Sequence, residues 1–142
     1  MEDFVTYEQA IKLKNLGFDW DCGYYYNECN QNFMPNTNDS YGMLNTNDLL
    51  DNINRIWNCI SAPTLSQAQK WLRNIKDIII VIDFDNWCEK YGCHVYKKTI
   101  YNSENIKDSY GSMLVTNESN EDFDSYEQAL SMGIDKALEL LN

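Results

Sequence analysis

The strongest pattern in the chain lies near its C-terminal end, where Tyr126, Ala129, Leu130, Ile134, Ala137, Leu138 and Leu141 recur every three or four positions. That spacing lines one side of an α-helix and predicts a helix starting after Ser125. Leu65, Ala68, Leu72 and Ile75 predict a second helix, with Trp71 on its flank and Lys70 and Arg73 on the opposite side. A shorter one follows Thr6, where Gly17 and Phe18 form a left-handed stop with an apolar clasp. Leu49, Leu50, Ile53, Ile56, Trp57 and Ile60 suggest a fourth, broken by Ser61-Ala62-Pro63.

Three of these starts share one local grammar. Thr6-Tyr7-Glu8-Gln9, Thr64-Leu65-Ser66-Gln67 and Ser125-Tyr126-Glu127-Gln128 each set a hydroxyl three places ahead of a glutamine, which is the capping-box pattern. Ala10, Ala68 and Ala129 come next, the best helix former in each first turn. The near-repetition of TYEQAI and SYEQAL thus marks helix beginnings rather than a chemical site.

Strands fill the remainder. Gly23 to Cys29 carries three successive tyrosines, Asp77 to Phe84 is β-branched, and His94 to Tyr101 alternates aromatic, basic and aliphatic residues. Ser112 to Thr116 is a shorter candidate, and Gly92 falls in the connection expected to make a hairpin of the second and third. Asn-rich Gln31 to Asn47 and acidic Thr116 to Asp124 are assigned to loops. The expected fold is α+β: a small antiparallel sheet of about four strands, with three to four helices packed mainly on one face. At 142 residues one compact domain, 1–142, is the simplest organisation.

Composition narrows the setting. Hydrophobic residues make up 44% of the chain, too many for a disordered segment. The longest apolar run, Ile78 to Ile82, is far short of the roughly 20 residues that span a bilayer, so no membrane partner is expected. The acidic N-terminus does not look like a secretory signal, which predicts a cytoplasmic location. Cys22, Cys29, Cys59, Cys88 and Cys93 are odd in number and contain no CxxC pair, as expected of free thiols in a reducing compartment. Cys88, Cys93 and His94 could contribute to a zinc site, but their spacing matches no common finger and no fourth ligand is evident.

The formal net charge of −11 argues against duplex DNA as a partner. It is unevenly spread: the balance is −7 over residues 1–51, +3 over 52–107 and −7 over 108–142. An anion would be held by the middle third.

TYEQAI with LKNLGFD and an aromatic strand, then APTLSQAQKWLR, then SYEQALSMGIDKALELL, together resemble a family of uncharacterised small proteins encoded by bacteriophages and prophages of gut Bacteroidales. The similarity covers Thr6 to Tyr26, Ala62 to Arg73 and Ser125 to Leu141, and is one of helix grammar. Gln69, where an aromatic residue is expected, and Gly133, inside the last helix, depart from the pattern. The resemblance implies a phage origin and the cytoplasm of the infected host, and supplies no activity.

Catalysis finds little support. Asp83-Phe84-Asp85 ends an apolar strand, and paired carboxylates there could hold magnesium, as in the similar opening signature of haloacid dehalogenase phosphatases. Trp87 stands where that signature expects Thr or Val, and only 55 residues follow it. His94 is the one histidine, and Cys93 beside it would face the other way on a strand. No glycine-rich phosphate loop occurs. No enzyme, cofactor or metal is expected.

Binding remains. His94, Tyr96, Lys97, Lys98 and Tyr101 interleave rings and cations on one strand, and Lys70 and Arg73 share a helix face in the same basic third. Stacking of about 1–3 kcal/mol per base, with a few charged hydrogen bonds, would suffice for a nucleotide-sized anion. The expected function is a phage accessory protein that sequesters a nucleotide-like signal of host defence, and a homo-oligomer is compatible with it. The alternatives are an acidic inhibitor or nucleic-acid mimic acting on a host protein through acids around Asn117 to Asp124, and a virion or assembly component.

Overall fold

The computed structural model describes residues 3–35, 58–100, 110–114 and 122–142. They belong to two compact units, Met1–Ala68 with Leu141–Asn142, and Gln69–Leu140. The fold class is α+β, with three helices among the described residues: α1 (Tyr7–Asn15), α2 (Leu65–Ile75) and α3 (Tyr126–Leu141). The strands form two antiparallel sheets rather than one sheet of about four: β1 (Tyr24–Asn27), β2 (Phe33–Pro35) and β3 (Cys59–Ser61) in order β2-β1-β3, and β4 (Ile78–Asp85), β5 (Lys90–Ile100) and β6 (Tyr110–Leu114) in order β4-β5-β6.

In the first unit the Thr6 capping box is complete: Gln9 N–H donates to Thr6 Oγ1 at 3.2 Å and Thr6 N–H to Gln9 Oε1 at 2.9 Å. Gly17, at φ 89°, closes the other end of α1, where Phe18 N–H reaches Leu13 O at 3.0 Å and Gly17 N–H reaches Lys14 O at 3.0 Å. This is the expected left-handed stop, and its clasp Phe18 is buried. The three tyrosines of β1 divide by strand alternation. Tyr25 is buried, while Tyr24 and Tyr26 join Phe4 and Phe33 in an aromatic cluster, with the Tyr24 and Phe33 rings stacked at 4.9 Å. Tyr26 O–H donates to Val5 O at 2.7 Å, and burial raises its pKa.

Two short strands depart from expectation. Phe33–Pro35 lies within the stretch assigned to a loop, and its Pro35 is tolerated because β2 is an edge strand. Ile60, expected to continue a helix from Leu49, instead pairs with Tyr26 in β3, all of whose residues are buried. The rest of that helix, through Trp57, lies outside the described residues.

In the second unit β4 and β5 pair from Ile78↔Lys97 to Asp85↔Lys90. Their turn is Asn86–Glu89 and not the neighbourhood of Gly92, which pairs with Asp83 inside β5. Asp85 Oδ1 accepts Trp87 N–H at 2.8 Å, and Glu89 takes the left-handed conformation at φ 53°, so four residues reverse the chain without glycine. Ile78, Ile80, Ile82 and Phe84 share a face with Lys97, Val95, Cys93 and Tyr91. Helix α3 covers this face, since an added Gly133 β-carbon would stand 2.5 Å from Ile80 Cγ2 and 3.7 Å from Cys93 Cβ. Gln69, on α2, donates from Nε2 to Ile80 O at 2.9 Å. Trp71, expected on the flank of α2, is buried at 1% exposure, whereas Ile75, expected in its core face, is 53% exposed.

Candidate functional site

The face of the second sheet opposite α3 follows from its register. Ile79, Val81, Asp83 and Asp85 on β4 alternate away from α3, as do their partners Tyr96, His94, Gly92 and Lys90 on β5. Lys98, whose N–H donates to Asp77 O at 2.8 Å, continues the same row. Since β5 is the middle strand, His94, Tyr96 and Lys98 form a line down the centre, neighbours about 7 Å apart. His94 and Tyr96 are half-buried and Lys98 is exposed. Ile79 and Val81 supply apolar floor beside them, and Val81 is 39% exposed.

The residues singled out in the sequence are therefore distributed unequally. His94, Tyr96 and Lys98 come together on one face, and Lys97 lies on the opposite one, at the exposed end of the side that α3 covers. Interleaving rings and cations along one strand sorts them between two faces. Lys70 and Arg73 are exposed on α2. Arg73 follows Gln69 by one helical turn, which places it on the side of α2 that holds the β4 edge through the Gln69 amide. Tyr101 lies outside the described residues.

The carboxylates of Asp83-Phe84-Asp85 are engaged in the hairpin itself. Asp83 Oδ2 lies 2.5 Å from His94 Nε2, and Asp85 accepts the Trp87 amide in the turn. Among the described residues no group of three or more His, Cys, Asp and Glu could hold a metal ion. Cys93 and His94, adjacent in β5, point to opposite faces. Cys29 and Cys88 are exposed and Cys22 and Cys59 buried; burial pushes the Cys22 thiol up to about 12, against the lowering effect of a hydrogen bond with Ser61.

The hairpin also has features that sequence reasoning missed. Trp87 at its tip is 99% exposed and Phe84 beside it 50% exposed, amid exposed Asp83, Asp85 and Glu89. Lys90, the nearest cation, is taken by the exposed carboxylate of Asp124, whose hydrogen bond and charge raise the lysine pKa. At the other end Lys97 pairs with Ile78, Lys98 N–H donates to Asp77 O, and Lys76, next to Asp77 in the chain, has its Nζ 5.4 Å from the Trp71 ring centroid. The available signal was a tryptophan amid turn-forming residues in Asp85-Asn86-Trp87, where a buried role is hard to arrange.

No protein-family model, no curated protein and no solved structure matches this chain. Among the described residues no helix is long and apolar enough to cross a membrane.

Proposed function

We propose that this chain is a non-catalytic binding protein whose β4–β5 face opposite α3 takes a small anionic, nucleotide-like ligand. The observation that carries the reading is the row His94, Tyr96 and Lys98 on one face of the middle strand. Tyr96 offers a ring on which a base stacks, Lys98 a cation for a phosphate, and the apolar floor of Ile79 and Val81 favours a planar ligand over a hydrated ion. The resemblance to phage proteins supports a biological version of this reading, in which the chain sequesters a nucleotide signal of host defence.

Calorimetric titration with cyclic and ADP-ribose-type nucleotides tests it. Binding is expected, with Tyr96→Ala and Lys98→Ala each weakening it by about 1–3 kcal/mol and Lys97→Ala, on the opposite face, leaving it unchanged. Absence of any binder in the panel overturns the reading, as does equal sensitivity to Lys97 and Lys98.

A second reading, an acidic protein that engages a basic protein surface, is favoured by the exposed carboxylates of Asp122 and Glu127 around the start of α3. Its interaction would weaken steeply with salt, because exposed charges more than about 10 Å apart are screened at 0.1 M.

A further inference from the structure

The β4–β5 hairpin carries opposite charge at its two ends, and its acidic end presents a bare indole. Seven residue steps separate Asp85 from Ile78, so tip and base lie about 24 Å apart along the strands. Trp87 at 99% exposure and Phe84 at 50% form the apolar part of the tip, and Asp83, Asp85 and Glu89 are its exposed acids. At the base, Lys76 adjoins Asp77 in the chain, Lys97 pairs with Ile78 and Lys98 N–H donates to Asp77 O. Three lysines thus meet at this end of the hairpin, Lys97 and Lys98 on opposite faces, with Arg73 exposed in the last turn of α2. Elsewhere the chain is mostly acidic and repels such a tip.

We propose that the tip docks on the hairpin base of a second copy of this chain. Two hairpins laid antiparallel about a two-fold axis bring each tip against the other's base, so one complementary contact is made twice. Lysine and arginine at that base suit an indole as well as carboxylates, because their methylene stems cover apolar surface and their heads lie favourably over an aromatic face. Lys97 and Arg73, which the ligand reading leaves unused, acquire a role. The association shares Lys98 with that reading but does not require it.

Sedimentation equilibrium on the full chain tests the proposal, with circular dichroism to confirm that each variant folds. A monomer–dimer equilibrium is expected, weakened at 1 M salt, where charges are screened beyond about 3 Å. Trp87→Ala, Glu89→Lys and Lys97→Glu, all at exposed positions, should each weaken the dimer by about tenfold or more. The double variant Glu89→Lys with Lys97→Glu exchanges the two charges and should restore affinity to within about threefold of the original. A monomer at every concentration overturns the proposal. So does a dimer indifferent to Trp87→Ala, or a double variant no tighter than the single ones.

Discussion

Gly133 of α3 approaches Ile80 of β4 so closely that a β-carbon on the glycine would stand 2.5 Å from Ile80 Cγ2. Alanine at position 133 should improve helix propensity by about 1 kcal/mol and lose more than that to overpacking. Ile80 is buried, and its Cγ2 is attached to a stiff β-branched carbon that cannot swing aside. Urea denaturation of Gly133→Ala should show a net loss of about 1–2 kcal/mol, and a gain would mean that the contact relaxes freely.

The three helix caps are not equivalent. Thr64 and Gln67 bond reciprocally, at 3.1 and 3.4 Å, as Thr6 and Gln9 do. Gln128 N–H donates to Ser125 Oγ at 3.1 Å, but the Gln128 side chain accepts from Asp124 N–H, one residue before the cap. Thr6→Ala and Thr64→Ala should each cost about 1 kcal/mol in chemical denaturation. Gln128→Ala should cost less than Gln9→Ala, since Gln9 is also buried while Gln128 is exposed.

Thiol reactivity should follow burial. In the native protein Cys29 and Cys88 should be alkylated first, and Cys22 and Cys59 only on unfolding, as peptide mapping after timed iodoacetamide treatment would show. Cys22 also carries a pH signature. Its folded pKa of about 12 lies above the ordinary 9.0, so its contribution to stability is whole below pH 9 and is lost as pH rises toward 12. Cys22→Ala should flatten that part of the stability profile, measured as unfolding free energy against pH.

The tip tryptophan should report its electrostatic surroundings. The fluorescence difference between the wild type and Trp87→Phe isolates an indole set among Asp83, Asp85 and Glu89. At low salt caesium should quench it more strongly than iodide, because carboxylates concentrate cations nearby, and the preference should shrink as ionic strength rises. Equal quenching by both ions would remove the acidic tip from consideration.

What the sequence disclosed and what it hid differ in range. Caps, the Gly17 stop and the face of α3 are set by residues three to five apart, so they were legible. The short strands β2 and β3 depend on pairing with β1, and β3 is more than thirty residues from it; helical spacing at Ile56, Trp57 and Ile60 pointed elsewhere. The roles of Gln69 and Gly133 show only in three dimensions, one holding an edge carbonyl and the other admitting Ile80. Of the proposed binding residues, the opposition of Lys97 and Lys98 was present in the two-residue period of a strand. The positions of Lys70 and Arg73 relative to that strand were not, because helix spacing says nothing of what the helix lies beside.

Helix α1 shows what it means for an element to be latched at both ends. Between the Thr6 box and the Gly17 clasp it has nine residues and no loose turn in which an extra one could be hidden. A single insertion or deletion inside Tyr7–Asn15 turns every later side chain by about 100°. The chain would have to give up either a latch or the inward aim of Leu13, so this short helix should accept changes of letter far more readily than changes of length.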